Sequence, residues 1–496
     1  MPATSTGAVA PAKRFIRRHW LRAAFVSVLV LVPCFWHREI EAADLGSHLY
    51  NAWLVELIHH GQVHGLWIDH RWNNVLFDYL LSGFGWLFGL HAAEKIAVAL
   101  AVLIFFWGVF ALICAARRRA PWHLVPLIAM AAYGWTFHIG LFNYYLALGL
   151  SFFALAVLWR GRGAEHLIAL ALAPLIVSAH PLALLWLVGA GVYVLLTERI
   201  PPHYHPLLLL AGIAVLFGVH DYLWTHYVVE ARPHNFWFFN GADQFVLFGK
   251  RYEIVELGFL AFVGLALAWD IFRRWRQRQA RFWAAYALPF ELYILVCGAV
   301  LLLPHGAHVP GHIGAVALLT DRLTSVSLAL ILCVLGAMEL RKWHLVAACA
   351  LAVAFFAFVY EDTGRINRME EQVVKLVHTL PPNQRVMGTI LPPAGSRVTI
   401  QHILDRACIG YCYSYGNYEP GSKMFRVRAA PGNPYVLADY DLAIEMERGD
   451  YIVKPADLPV WQVYQCGGTG ESLCIHPLEA GEENDASGAH PASRSR

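Results

Sequence analysis

Between Leu21 and Tyr360 the chain is a succession of apolar runs, many of about 18 residues or more, cut at intervals by short clusters of arginine and lysine. A helix needs about 20 apolar residues to cross the hydrocarbon core of a bilayer, and its backbone groups must bond within the segment. Runs of this kind predict an all-α polytopic membrane protein; a transmembrane β-barrel would show alternating segments of about ten residues instead. Composition agrees, with 58% of the 496 residues hydrophobic and 15% charged, against about 25% charged in an ordinary soluble domain. From Glu361 onward the sequence turns soluble in character. A wholly soluble enzyme, a fibrous protein and a disordered chain are excluded. No basic stripe interleaved with aromatic residues accompanies the net charge of +3, so no nucleic acid is expected as a partner.

The cations set the topology. Lys13, Arg14, Arg17, Arg18 and Arg22 precede the first run, 23–36, and no small-residue cleavage site follows. Residues 1–22 therefore read as a cytoplasmic basic segment leading into an uncleaved signal anchor. Arg117 to Arg119, Arg160 with Arg162, Arg273 to Arg281, and Arg341 with Lys342 should lie on the same side. Two apolar stretches, 75–90 and 94–116, separate the first run from the triple arginine, and only one of them can cross. The first is interrupted by Asp78, Ser82, Gly83 and Gly85, so it is expected to lie against the outer face. Further spans then fall near 121–137, 140–159, 165–179, 182–197, 205–220, 253–272, 282–303, 323–340 and 343–360. The expected total is about eleven, within a membrane domain 23–360 whose first extracytoplasmic loop is 37–93. Residues 361–479 form a small extracytoplasmic α/β or α+β domain, with an amphipathic helix at 365–378 and strands at 385–390, 435–437 and 461–464. The polar tail 480–496 is expected to be disordered. Cys408, Cys412, Cys466 and Cys474 all fall in the soluble part, which is compatible with two disulfides in an oxidising compartment. Zinc is the rival use of those thiols, but their spacing matches a zinc ribbon poorly. The chain has no Asn-x-Ser/Thr sequon, which favours a bacterial setting over a eukaryotic secretory one.

Immediately after the first run stand Glu39, Glu41 and Asp44, three carboxylates within six residues. The next segment, 45–60, carries Leu49, Trp53, Leu54, Leu57 and Ile58 at near-helical spacing, and predicts an amphipathic helix in the interface. Asp44 occupies the place of its N-cap. Two readings stay open: Asp44 caps the helix, or its carboxylate is a general base at the lipid–water boundary.

Asp44, His48, Tyr50, Ala52 and Gly61, then Trp86-Leu87-Phe88-Gly89 and Ala92-Ala93-Glu94-Lys95, give the stretch a family likeness. Over about 75 residues it resembles the first extracytoplasmic loop of GT-C fold glycosyltransferases that use polyprenyl-phosphate sugars, of the bacterial mannosyltransferase-like and aminoarabinose-transferase-like kind. Many members carry an acidic pair where this chain has Asp44 followed by Leu45. The resemblance implies a lipid-linked sugar donor, a glycan, lipid or protein acceptor outside the cytoplasm, and a bacterial inner membrane location. Asp44 would be the general base and Glu41 a second carboxylate. Both are candidate ligands for a divalent cation such as Mg²⁺ or Mn²⁺. It also implies an arginine for the donor phosphate, for which Arg322 is the first candidate, with Lys95 and Arg71 behind it.

His48, His180, His138 and Asn143 share the outer face and are candidate cavity-lining residues, although lone histidines at helix ends are commonly structural. Arg322 has a competing use as well, as the ion-pair partner of Asp321. His305, His308 and His312 share a loop without the spacing of a metal motif. A transporter or flippase would place ionisable residues mid-span and show internal repeats, whereas here the span middles are almost purely apolar and the polar groups gather at one face. A non-catalytic scaffold with a partner-binding outer domain is the third reading.

Overall fold

The computed structural model describes residues 9–232, 239–277, 286–310, 316–422, 424–466 and 471–485. The side chains of Lys13 to Arg18, the loop aromatics Phe236, Trp237 and Phe238, Arg278, Arg281, His312 and the tail beyond Asp485 lie outside the described residues. In chain order the first half holds α1 (Val9–Leu31), α2 (Leu45–His59), β1 (Leu66–Ile68), α3 (Leu76–Phe88), α4 (Leu90–Arg117), α5 (Val125–Ala132), α6 (Trp135–His138), α7 (Phe142–Arg160), α8 (His166–Ala179), α9 (Pro181–Arg199) and α10 (His205–His226). Then come β2 (Val228–Glu230), α11 (Glu253–Arg276), α12 (Ala287–Leu302), β3 (Gly306–His308), α13 (Leu319–Ala337) and α14 (Lys342–Val377). The remainder is β4 (Arg385–Thr389), α15 (Ile403–Cys408), β5 (Tyr413–Ser414), β6 (Val427–Ala429), α16 (Tyr440–Arg448), β7 (Val460–Gln465) and β8 (Leu473–Pro477).

Seven helices, α4, α7, α9, α10, α11, α13 and α14, are long and apolar enough to cross a membrane, so the chain is a helical membrane protein. Four further apolar helices are shorter: His19–Cys34, Leu76–Phe88, Gly163–Ala179 and Ala287–Leu302. Against the expected count of about eleven, seven helices have full spanning length. One reason is local: the run at 121–137 is not a single helix, because Gly134 turns extended (ψ −174°) between α5 and α6. The stretch 75–90 does form a separate helix, α3, of 13 residues, about 20 Å long and short of a bilayer core. It buries Phe77 and Leu81 and leaves Tyr79, Trp86, Leu87 and Phe88 exposed.

The basic clusters gather at one end of the bundle. Arg160 donates through Nε to the Ala115 carbonyl (2.5 Å), Arg274 pairs with Asp270 (2.6 Å), Arg273 bridges to Glu339 (2.8 Å), and Arg341 lies over Trp269. The soluble part sits at the other end. Its four strands run β5-β4-β7-β8, with β4 parallel to both neighbours and β8 antiparallel. All four cysteines there are paired, Cys408 with Cys412 and Cys466 with Cys474. The expected helix at 365–378 is not separate: α14 runs unbroken for 36 residues from the bundle into the soluble part. The expected strand at 435–437 is absent, because the Asn433 side chain accepts hydrogen bonds from the Tyr435 and Val436 amides and ties the segment into a turn.

Two seams join the soluble part to the loop after α1. β1 pairs antiparallel with β6, Leu66 opposite Ala429 and Ile68 opposite Val427. α15 packs end-on against α2, where the His402 carbonyl lies where a Cβ on Gly46 would be. Helix α2 is therefore not an interfacial helix with one wet face: Leu45 to Ala52 are all buried, the polar Ser47, His48 and Asn51 included. Gly46→Ala should drive the new methyl into that carbonyl and destabilise the protein by about 1–3 kcal/mol, read as a lower melting temperature in detergent. A melting temperature equal to wild type would show that the seam is not close-packed.

Candidate active site

The chain leaves α1 in one tight turn, and Lys95 closes it by donating from Nζ to the carbonyls of Cys34 (3.1 Å) and His37 (3.3 Å). Lys95 is thereby a clasp on the backbone. The next residues run along the α6–α7 connection: the Ala43 amide donates to the His138 carbonyl (2.8 Å) and the Asp44 amide to that of Ile139 (3.3 Å). Gly140, at φ +84°, abuts the Asp44 backbone so closely that a side chain there would collide with it. Asp44 is held by its main chain, so its side chain is not needed to anchor the loop.

Although Asp44 stands at the N-cap position of α2, its carboxylate makes no capping hydrogen bond. It is 26% exposed, and its ion-pair partner among the described residues is the His402 ring, Nε2 to Oδ1 at 3.6 Å. Burial raises the Asp44 pKa from 3.8, the charges of His402, His48 and Arg322 oppose that rise, and Asp405 adds to it. A carboxylate of raised pKa is a better proton acceptor than a solvated aspartate.

His48 lies one turn along α2 and donates from Nδ1 to Asp78 of α3 (2.7 Å), with Glu419 at 4.0 Å. Asn143 holds Asp78 in place by donating to its second oxygen (2.9 Å) and accepting from the Phe77 amide (2.8 Å). Burial alone would lower the His48 pKa, but Asp78 above all, then Glu419 and Asp44, raise it to about 9. His48 and Asn143 thus converge on Asp78 in a buried ion-pair and hydrogen-bond network beside Asp44.

Arg322 stands in the first turn of α13. Its neighbour Asp321 pairs with His305 (2.9 Å) and Arg397 (3.4 Å), so the competing Asp321–Arg322 pairing does not form. No carboxylate lies within 4.0 Å of the Arg322 guanidinium among the described residues, and its Nε is buried without a hydrogen-bond partner. The guanidinium carbon lies 5.9 Å over the Tyr144 ring, and the His180 ring packs edge-on to the same tyrosine at 5.3 Å. His180 also accepts the Leu182 amide through Nδ1 (3.2 Å) and so caps α9. Asp44 is near enough to Arg322 for their charges to act on one another. Asp44, Arg322, His402, His48 and His180 therefore surround one region where the bundle meets the soluble part.

Glu41 does not join them. It is buried, accepts from Asn367 (2.7 Å), and belongs to a cluster with Glu94 and Glu370 around Arg406, which contacts Glu370 (3.0 Å) and Glu94 (3.7 Å). Burial first, then the Glu370 charge, hold its pKa well above the usual carboxylate range. Asp44 and Glu41 accordingly do not fit a cation held between them. The described group of three with ligand atoms within 4.8 Å is Glu39, His91 and Glu94, which contains neither. Arg71 pairs with Asp69 (3.0 Å), which also holds Arg428 (3.0 Å). His138 donates from Nδ1 to the Glu41 carbonyl (3.0 Å), while its buried Nε2 has no partner.

Sequence reasoning missed the soluble part's share. His402 is buried, donates from Nδ1 to Asp405 (2.8 Å), and packs against Tyr418 at 5.5 Å between ring centres. Asp405 also accepts from Asn417 (3.2 Å) and from the Ser414 hydroxyl. Burial alone would lower the His402 pKa; the Asp405 hydrogen bond and the charges of Glu447, Asp405 and Asp44 raise it to about 10. No motif spacing marks these residues, since they come to Asp44 from about 360 positions away through tertiary contacts, the β1–β6 and α2–α15 seams among them. No family model, curated protein or solved structure matches the chain.

The His48–Asp78 pair predicts a pH dependence of stability. A histidine whose folded pKa is raised to about 9 stabilises fully below its unfolded value, near 6.5, and loses that stabilisation as pH rises through about 9. Asp78→Asn should cost about 3 kcal/mol at pH 6, and the gap to wild type should shrink as pH rises through 9. Melting curves at pH 6, 8 and 10 check this; a gap independent of pH would show that His48 is not charged in the fold.

Proposed function

We propose that the protein is a GT-C type glycosyltransferase with eleven membrane segments, moving a sugar from a polyprenyl-phosphate donor to an extracytoplasmic glycan, lipid or protein acceptor. The carrying observation is that a partly buried Asp44 carboxylate making no capping bond and an Arg322 guanidinium without a carboxylate partner among the described residues stand at the same end of the bundle. Both stand at the end of the bundle away from the arginine clusters. By the positive-inside rule that end is extracytoplasmic, and the two disulfides suit an oxidising compartment there. The eleven segments are the seven long helices, the short helices at 19–34, 163–179 and 287–302, and the broken α5–α6 pair. Helix α3 stays on the surface, and the membrane is a bacterial inner membrane.

In this reading Asp44 takes the proton from an acceptor hydroxyl as that oxygen attacks the anomeric carbon. The new C–O bond forms as the bond from the anomeric carbon to the phosphate oxygen breaks, with inversion. The polyprenyl phosphate leaves with the electron pair, and Arg322 neutralises its charge. Arg suits the task because its planar fork can hold two phosphate oxygens at once. His48 and His180 complete the walls of the region without contacting the leaving group. The raised pKa of Asp44 places the acid limb of activity above the ordinary aspartate range.

Asp44→Asn keeps shape and removes the base. In a host whose surface glycans change on gene deletion, it should lower the modified glycan by about 10²–10⁴-fold at normal protein abundance. Arg322→Lys should retain part of the activity and Arg322→Ala very little. An unchanged glycan profile in Asp44→Asn, read by mass spectrometry, would sink the catalytic assignment.

A further inference from the structure

We propose that His402, from the soluble part, is the positioning residue of Asp44, so that the active site is completed by the C-terminal part of the chain. The inference rests on the reading of Asp44 as the base. Among the described residues no side-chain hydrogen bond fixes the Asp44 carboxylate: the N-cap bond that its position offers is not made. A general base has to be held in one orientation to accept a proton along a productive line. Among the described residues the group able to hold it is His402, whose Nε2 faces Oδ1 at 3.6 Å.

That ring is itself fixed on its other side. Nδ1 donates to Asp405 at 2.8 Å, which directs the second N–H toward Asp44. Asp405 in turn is locked by Asn417 (3.2 Å) and by the Ser414 hydroxyl, whose backbone amide donates to the Tyr50 hydroxyl of α2 (2.9 Å). Asn417 returns to α2 through Asn51 (3.3 Å), and Glu419, two residues on, accepts from Ser47 (2.9 Å). The line from Asp44 through His402 to Asp405 therefore closes back on the helix that Asp44 begins. Such a closed buried network tolerates little drift, because each member left unpaired costs a desolvated polar group. The main chain agrees: Gly46 admits the His402 carbonyl at the first turn of α2, so the ring cannot retreat without opening the α2–α15 seam. A histidine with only a core-filling role would not need both nitrogens directed at carboxylates.

The test compares four full-length variants in the membrane of the deletion host, scored as modified surface glycan per unit of membrane-inserted protein. His402→Ala should lose activity about tenfold or more. His402→Gln, which keeps a donor amide of similar reach, should recover a clear part of it. In an Asp44→Asn background, adding His402→Ala should change nothing further, because a residue that acts through Asp44 has nothing left to position. Wild-type activity in His402→Ala would overturn the inference. So would a further loss in the double variant, or equal losses in the Ala and Gln variants accompanied by lost membrane protein, which would assign His402 to the scaffold. Normal activity in Asp44→Asn would instead defeat the functional reading itself. Loss in Asp44→Asn with normal His402 variants defeats only the positioning role.

Discussion

The carbonyl of His402 rests against the α-carbon of Gly46, and the imidazole of the same residue spans from Asp405 to Asp44. The candidate site depends on this contact, because it presses a soluble subdomain onto a helix that would otherwise face water at the bundle's end. Once α15 is seated, Ser47, His48 and Asn51 on α2 are dry and must find partners. They find Glu419 and Asn417 from one segment of the soluble part and Asp78 from α3. Burial and polarity are thus coupled: close packing removes water, and removing water makes each charge–charge contact stronger.

The same coupling sorts the carboxylates after α1 into different roles. Glu41 turns inward to Asn367 and the Arg406 cluster, where it joins α14 and α15 to the loop. Asp44, three residues later, is fixed by its backbone to the α6–α7 turn, and its side chain remains available. On the opposite wall Asp321 is taken by His305 and Arg397, and among the described residues no carboxylate pairs with Arg322.

Several features were legible from residues alone. Long apolar runs separated by arginines predicted the helices, and the polar interruptions Asp78, Ser82 and Gly83 predicted that α3 is set apart. Asp44 and Arg322 stood out as ionisable groups at the ends of apolar runs. Other features were hidden. Asp78 reads as an interruption in an apolar stretch, yet it is the partner of His48, a contact set by the packing of α3 on α2. Lys95 and Arg71 read as available cations, but local carbonyls and Asp69 claim them. Strands β4 and β7 stand close to the expected 385–390 and 461–464, whereas the segment 435–437 and the unbroken α14 were misplaced because side-chain turns and helix continuity are settled by neighbours, not by local pattern.

By itself the sequence determined what each stretch could bear: apolar length decides which segments can sit in lipid, and the clustering of cations marks one end of the bundle. These are transfer and charge properties of short segments, so they survive without knowledge of the fold. Tertiary structure alone decided which charged groups meet. His402, Asp405 and Glu419 reach the loop after α1 through a two-strand ribbon and one glycine contact. An ion pair depends on a few ångströms of separation in a low-dielectric site, a quantity that no spacing along the chain encodes.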